Sequence, residues 1–196
     1  MTSDDLILAS ASPRRRELLR QLGYSFRVLA SAVDERWRET DASASAHAVR
    51  LAREKALAAP AGGVVLAADT VVHVGGVVLG KPEDRAQALG MLAQLSGREH
   101  EVITAVAVRS GEHLLEAMSR TRVWFRDLSE AERIAYWDSG EPTDKAGAYA
   151  IQGRAAAFIN QIEGSYSGVV GLPLFETASL LAQAGLIAPN AAGAAA

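Results

Sequence analysis

Three consecutive arginines, Arg14, Arg15 and Arg16, follow a Ser-Pro step in the stretch ASASPRRRELLRQLG. Like charges so close together repel one another, and a bound polyanion would relieve that repulsion. Ser12 offers a helix-capping hydroxyl and Pro13 suits a first helical turn. The arginines therefore fall where a helix exposes free N–H groups and the positive end of its dipole, a place that disfavours cations. A phosphate seated there removes the conflict, and guanidinium forks match its oxygens. A solvated charge cluster is the competing reading of three arginines alone; the adverse dipole placement favours the anion site. The lysine-based phosphate loop GxxxxGK[ST] does not occur in the chain.

Carboxylates come next. Asp34 and Glu35 follow a short β-like stretch, where a loop could bring them near the arginine turn. Asp69 is expected to end the apolar strand VVLAAD, with Thr70 after it. An acid in such a setting is costly unless paired, hydrogen-bonded or holding a cation, and strand ends of open α/β sheets are where ligands bind. Two carboxylates can hold Mg²⁺ together with water and substrate phosphates. The competing role for Asp69 is to cap the following turn. Among the lysines, Lys55 lies on a helical stretch, Lys81 in LGKPED and Lys145 in PTDKAGAY. A lone lysine is nearly always a solvated surface residue, but turn formers hem in the last two and aim their side chains. His47, His73, His100 and His113 lack HxH or HxxxH spacing, which argues against a histidine metal site, and no GxSxG elbow is present.

The elements that must carry these residues alternate between strand and helix. Residues 6–9 read as a buried strand, followed by a helix from Pro13 to the stop at Gly23. Residues 25–30 suggest a second strand and 45–59 a helix with Val49, Ala52, Ala56 and Ala59 on one face. A β-rich run over 63–74 turns at Gly75-Gly76 into VVLG. A helix over 84–95 precedes two long strands flanking Gly111. Ser129 and Glu132 form a capping box for a helix closed at Gly140. A strand over 155–162, a Gly-rich turn and a helix from Pro173 to about Leu181 complete the pattern. The expected fold class is α/β, with a twisted mixed sheet flanked by helices.

The chain has 196 residues, 20 Lys+Arg against 23 Asp+Glu and a net charge of −3, so duplex nucleic acid is an unsuitable main partner. The absence of cysteine excludes disulfides and thiolate chemistry. Apolar residues make up 49% and charged residues 22%, the balance of a globular chain. No apolar run suits a membrane span, and the acidic start MTSDD is unlike a signal peptide, so a cytoplasmic location is expected. One domain over 1–184 is expected, with an Ala-rich, disordered tail over 185–196.

Taken together, the stretches LILASASPRRRELLRQLG, AADTVV, GKPED, LSGREHEVITAVAV, SGEPTDKAGAYAIQG and GSYSGVVGLPLFET resemble the Maf family of nucleoside triphosphate pyrophosphatases. The resemblance implies an elongated mixed-sheet fold like that of inosine triphosphate pyrophosphatases, with a central cleft between two lobes. It implies hydrolysis of a nucleoside triphosphate to the monophosphate and pyrophosphate with a divalent metal, Mg²⁺ or Mn²⁺. Ser10, Ser12, Arg14 and Arg15 would grip the triphosphate. Glu35 and Asp69 would serve the metal and the attacking water, with Asp69 as proton acceptor. Lys55 and Lys81 would neutralise charge at the α-phosphate, assisted by Lys145. Arg14, Thr70 and Gln152 match the set associated with the dTTP/UTP branch, whereas the 7-methyl-GTP branch has Trp, Gln and Glu there. The family also includes homodimers.

The pyrimidine assignment has a physical basis. Uracil and thymine present an N3–H donor beside carbonyl acceptors, which a neutral amide can match; a guanine edge presents adjacent donors that suit a carboxylate better. Two alternatives remain at this stage, the 7-methyl-GTP branch and a non-catalytic nucleotide-binding regulator of septum formation. Ala150 and Gly168 depart from the family's usual glycine and asparagine, which bears on loop geometry only.

Overall fold

A computed structural model describes residues 6–60 and 62–187 of the chain. A mixed sheet of seven strands has the order β2-β1-β3-β5-β6-β7, with β4 paired to β3. The strands are β1 (Leu6–Leu8), β2 (Arg27–Val28), β3 (Val64–Val74), β4 (Val77–Leu79), β5 (Glu99–Ser110), β6 (His113–Phe125) and β7 (Ile159–Glu163). The helices are α1 (Pro13–Gln21), α2 (Ala44–Ala58), α3 (Arg85–Leu95), α4 (Glu130–Asp138), α5 (Tyr166–Val170) and α6 (Leu174–Gln183). Strand β1 runs parallel to both β2 and β3, whereas β3–β4 and β6–β7 are antiparallel. The expected α/β class and helix-flanked mixed sheet are the fold observed.

The chain divides into two compact units. Unit 1 is Met1–Asp69, Thr104–Ser119 and Gly171–Ala196; unit 2 is Thr70–Ile103 and Arg120–Val170. Within unit 1, β1 and the first half of β3 are fully buried, and Leu19, Leu51, Ala52 and Ala56 bring the apolar faces of α1 and α2 into the core. That burial on both faces suits parallel strands covered by helices. Leu186 is also buried there, and its carbonyl accepts from the Tyr24 hydroxyl at 3.2 Å. Most of the Ala-rich stretch, residues 188–196, lies outside the described residues.

Unit 2 has its own core of Val72, Leu92, Leu95, Val123, Phe125, Tyr136, Tyr149 and Phe158 among others. The rings of Phe125 and Tyr149 meet edge to face at 4.9 Å, and those of Tyr136 and Phe158 at 5.1 Å. Such contacts add to the apolar area that aromatic side chains already bury.

Local signals place most boundaries. Ser12 caps α1, Ser43 caps α2, Asp84 caps α3, and Ser129 with Glu132 completes the capping box of α4. The β3–β4 hairpin turns through Gly75 and Gly76, both at positive φ, as a tight two-residue turn requires. Three expectations need correction. The second strand is two residues long rather than 25–30, and both residues are exposed, so no buried face extends it. Residues 154–158 form a 3-10 turn before β7, because the run Ala155-Ala156-Ala157 carries no β-branched preference for a strand. The Gly-rich turn after β7 contains the short helix α5, with Ser165 Oγ accepting from the Gly168 N–H at 3.0 Å.

Candidate active site

The arginine turn is organised by serine hydroxyls. Ser12 Oγ accepts from the Arg15 N–H at 3.4 Å as the cap of α1. The buried Ser10 Oγ accepts from the Ser12 N–H at 3.2 Å and from Arg15 NH1 at 3.3 Å. Arg15 Nε also donates to the Gly171 carbonyl at 2.8 Å, fixing the guanidinium from a second side. No acidic residue shares that first helical turn. Burial pulls the Arg15 guanidinium down from the usual arginine range; Asp69 and Glu35 oppose that shift, and Arg14 adds to it. Arg14, Asp69 and Glu35 therefore all act electrostatically on the Arg15 guanidinium within unit 1.

Asp69 is not at a strand end. Strand β3 continues to Val74, so Asp69 sits in mid-strand and is buried, with 7% of its surface exposed. A carboxylate there needs a cation, and Lys55 supplies it. Its Nζ donates to Asp69 Oδ1 at 2.7 Å and lies 2.6 Å from Glu35 Oε1. The expectation that a lone lysine is solvated fails for Lys55, whose residue surface is 6% exposed. Its helix explains why: Leu51, Ala52 and Ala56 on the buried face of α2 carry Lys55 inward with them. Glu35, by contrast, keeps about half its side chain in solvent at 49%. Asp34, the other acid of that loop, turns away to the surface and accepts a bidentate bond from Arg36.

Unit 1 thus gathers Ser10, Ser12, Arg14, Arg15, Glu35, Lys55 and Asp69. Thr70, Lys81, Lys145 and Gln152 belong to unit 2. There the Gly147 N–H donates to the Gly80 carbonyl at 3.0 Å, tying the loop of Lys81 to that of Lys145. Lys81 is exposed, Thr70 is half-buried, and Lys145 pairs with Asp144. Gln152 is exposed on a turn between the buried Ile151 and Gly153. Gly147 and Ala148 both adopt left-handed backbone, at φ 70° and 57°. A side chain on Gly147 would press on Val72, with the nearest carbon 3.0 Å from its Cβ. For Ala148 that backbone is strained.

A family model described as Maf-like protein matches residues 5–184. The chain belongs to the Maf-like protein family. Curated relatives of this Maf-like chain include a dTTP/UTP pyrophosphatase of Hahella chejuensis, 51% identical over 92% of both chains. Proteins of the same name from Bordetella parapertussis and Myxococcus xanthus are 53% and 54% identical, each over 94% of both chains. Among solved structures, a HAM1 protein from Coxiella burnetii is similar at 17% identity, with a TM-score of 0.49, covering 92% of this chain and 99% of the other.

Sequence reasoning missed a second ionic cluster on α2. Asp41 is buried and accepts from His47 Nδ1 at 2.7 Å, Arg50 Nε at 2.7 Å, Arg50 NH2 at 2.8 Å and the Arg38 N–H at 2.9 Å. Trp37 stacks on His47 at 4.8 Å. These contacts clamp the loop that carries Glu35 onto α2. The signal available was the spacing of His47 and Arg50, three apart on one helical face after an acid.

Proposed function

We propose that this protein hydrolyses dTTP and UTP to the monophosphate and pyrophosphate. The observation that carries the reading is the constellation in unit 1: Arg15 held between Ser10 and Gly171 in the field of Asp69 and Glu35, which share the Lys55 ammonium. The curated relatives bearing the dTTP/UTP pyrophosphatase name, at about half identity over most of the chain, support the substrate class.

A triphosphate brings concentrated negative charge to the N-terminus of α1, where Arg14, Arg15 and the serine turn would receive it. A water oxygen attacks the α-phosphorus, Asp69 accepts the water proton, and the bond from the α-phosphorus to its bridging oxygen breaks. Pyrophosphate departs with that electron pair. The Lys55 ammonium in unit 1 would stabilise the charge developing on the phosphoryl oxygens, and charge neutralisation is also the role proposed for Lys81 and Lys145. Because pyrophosphate leaves readily once neutralised, the reaction needs no covalent nucleophile. Gln152 and Thr70 would read the pyrimidine edge.

The chemistry of the donor set fits a divalent cation. Glu35 and Asp69 converge on a single positive point, and both offer hard carboxylate oxygens. No group of three or more potential metal-ligating side chains occurs among the described residues, so water and substrate phosphates would complete the shell of Mg²⁺ or Mn²⁺. When bound, the ion supplies further neutralisation of phosphate charge. Among the described residues no helix is long and apolar enough to cross a membrane. A cytoplasmic location, where nucleoside triphosphates are made and consumed, accompanies this reading.

The test is pyrophosphate release over dTTP, UTP, 5-methyl-UTP, pseudo-UTP and 7-methyl-GTP with Mg²⁺ or Mn²⁺. Preference for the pyrimidines is expected. No turnover of any nucleotide would overturn the reading and favour a nucleotide-binding regulator.

A further inference from the structure

Gln152 projects from a turn whose two ends are tied to one carboxylate. The Gly153 N–H donates to the Ala150 carbonyl at 3.0 Å, closing the turn over Ile151 and Gln152. At its start, the Ala150 N–H donates to Tyr136 Oη at 3.0 Å, and the Tyr136 hydroxyl donates to Glu141 Oε1 at 2.7 Å. At its end, the Arg154 N–H donates directly to Glu141 Oε2 at 3.0 Å. One carboxylate thus holds the exit of the turn by its own oxygen and the entry through a phenol.

The clamp is close-fitting. A Cβ on Gly153 would meet the Glu141 carboxylate at 2.3–2.4 Å, so the missing side chain is what lets the carboxylate reach the backbone. Tyr136 is buried at 3% exposure, and its ring packs against Phe158. Burial, then Glu141, pushes the phenol well above its ordinary range, so it stays a proton donor. Burial works against ionised Glu141, but bonds from Arg154, Tyr136 and Ala155 outweigh it and keep the carboxyl below its ordinary range. The next residue upstream, Tyr149, is anchored separately: its Oη lies 2.8 Å from His100 Nε2. Within this frame Ile151 points into the core and Gln152 is exposed.

We propose that Tyr136 and Glu141 are positioning residues that hold Gln152 in register for discrimination between nucleobases. This rests on the reading of Gln152 as the base-facing amide. An amide distinguishes a carbonyl from an amino group only if its oxygen and nitrogen stay on the correct side of the base edge. A turn that loosens lets the amide follow either edge and forfeits the difference. The pair therefore acts on selectivity rather than on the chemical step.

UTP and CTP differ only in that edge, at the 4-position group and N3, which makes them the probe. The kcat/KM for each is measured by pyrophosphate release for wild type, Tyr136→Phe, Glu141→Gln and Gln152→Glu. For Tyr136→Phe the UTP:CTP ratio is expected to fall about tenfold through KM for UTP, with CTP nearly unchanged. Glu141→Gln, which keeps one acceptor oxygen, is expected to fall by less. A purely structural role would lower both substrates alike and leave the ratio intact, and that result overturns the proposal. If Gln152→Glu loses selectivity while both clamp variants keep it, the proposal alone falls. If wild type does not distinguish UTP from CTP, the reading of Gln152 falls and the proposal with it. Should Tyr136→Phe fold poorly by thermal melting, Glu141→Gln decides by the same ratio.

Discussion

Helix α2 carries two ionic clusters that differ in how they are finished. At Arg50, Asp41 is enclosed, with 2% of its side chain exposed and four hydrogen bonds from Arg38, His47 and Arg50. At Lys55, one ammonium serves two carboxylates, and Glu35 leaves about half its side chain in water. The first cluster resembles a rivet, in which charge is matched and solvent excluded. In the second, the Glu35 carboxylate keeps contact with solvent while it pairs with Lys55. Both hold the same loop, since Glu35 and Asp41 are six residues apart in it. Matched, desolvated charge fixes geometry, whereas partly solvated charge can still react. A third pair, Arg53 with Glu116, is exposed on both sides and marks the surface limit of the series.

The largest effect expected along this series is chemical. Asp69→Asn should lower turnover about 10³-fold, equivalent to about 4 kcal/mol in the barrier, while far-UV circular dichroism remains native. A folded variant with undiminished turnover would remove Asp69 from the reaction. Lys55→Met comes next, because it leaves buried Asp69 without its cation. Urea unfolding should show a loss of about 3 kcal/mol, accompanied by reduced turnover.

Asp41→Asn should cost about 2 kcal/mol at pH 7 and reduce turnover only through the Glu35 loop. Arg50, then His47 and Arg38, holds the Asp41 carboxyl well below the ordinary carboxylate range. Its contribution is therefore fully present above about pH 4, the usual unfolded value, and is lost as pH falls below that. Wild type should lose stability steeply under acid, and Asp41→Asn should flatten that limb; identical acid profiles would break the contrast between the clusters. The smallest effect belongs to Arg53→Gln, at most about 0.5 kcal/mol and diminished by salt.

How much of this was legible depended on distance along the chain. The arginine turn was readable because cap, proline and charge lie within a few residues, and the structure shows Ser12, Pro13 and Arg15 in those positions. The capping box at Ser129 was equally plain. Asp69 was misplaced at a strand end because an acid in the middle of an apolar strand looks like a terminator. Only Lys55, fourteen residues earlier, makes mid-strand burial tolerable. The alanine run at 155–157 gave no period to choose between strand and 3-10 turn. Glu141 stood out in no sequence pattern, and nothing nearby in the chain indicated that it would hold both ends of the Gln152 turn.

By itself, then, the sequence determined the alternating elements, their caps and turns, the local concentration of cations and the family. The tertiary structure alone decided which carboxylate shares which cation, that Lys55 is buried, and that Arg15 reaches the carbonyl of Gly171. Caps and periodicity depend on neighbours the backbone holds close in any fold. The ion pairs join residues fourteen to twenty apart, and the arginine contact spans 156, so they exist only after the core has brought those segments together.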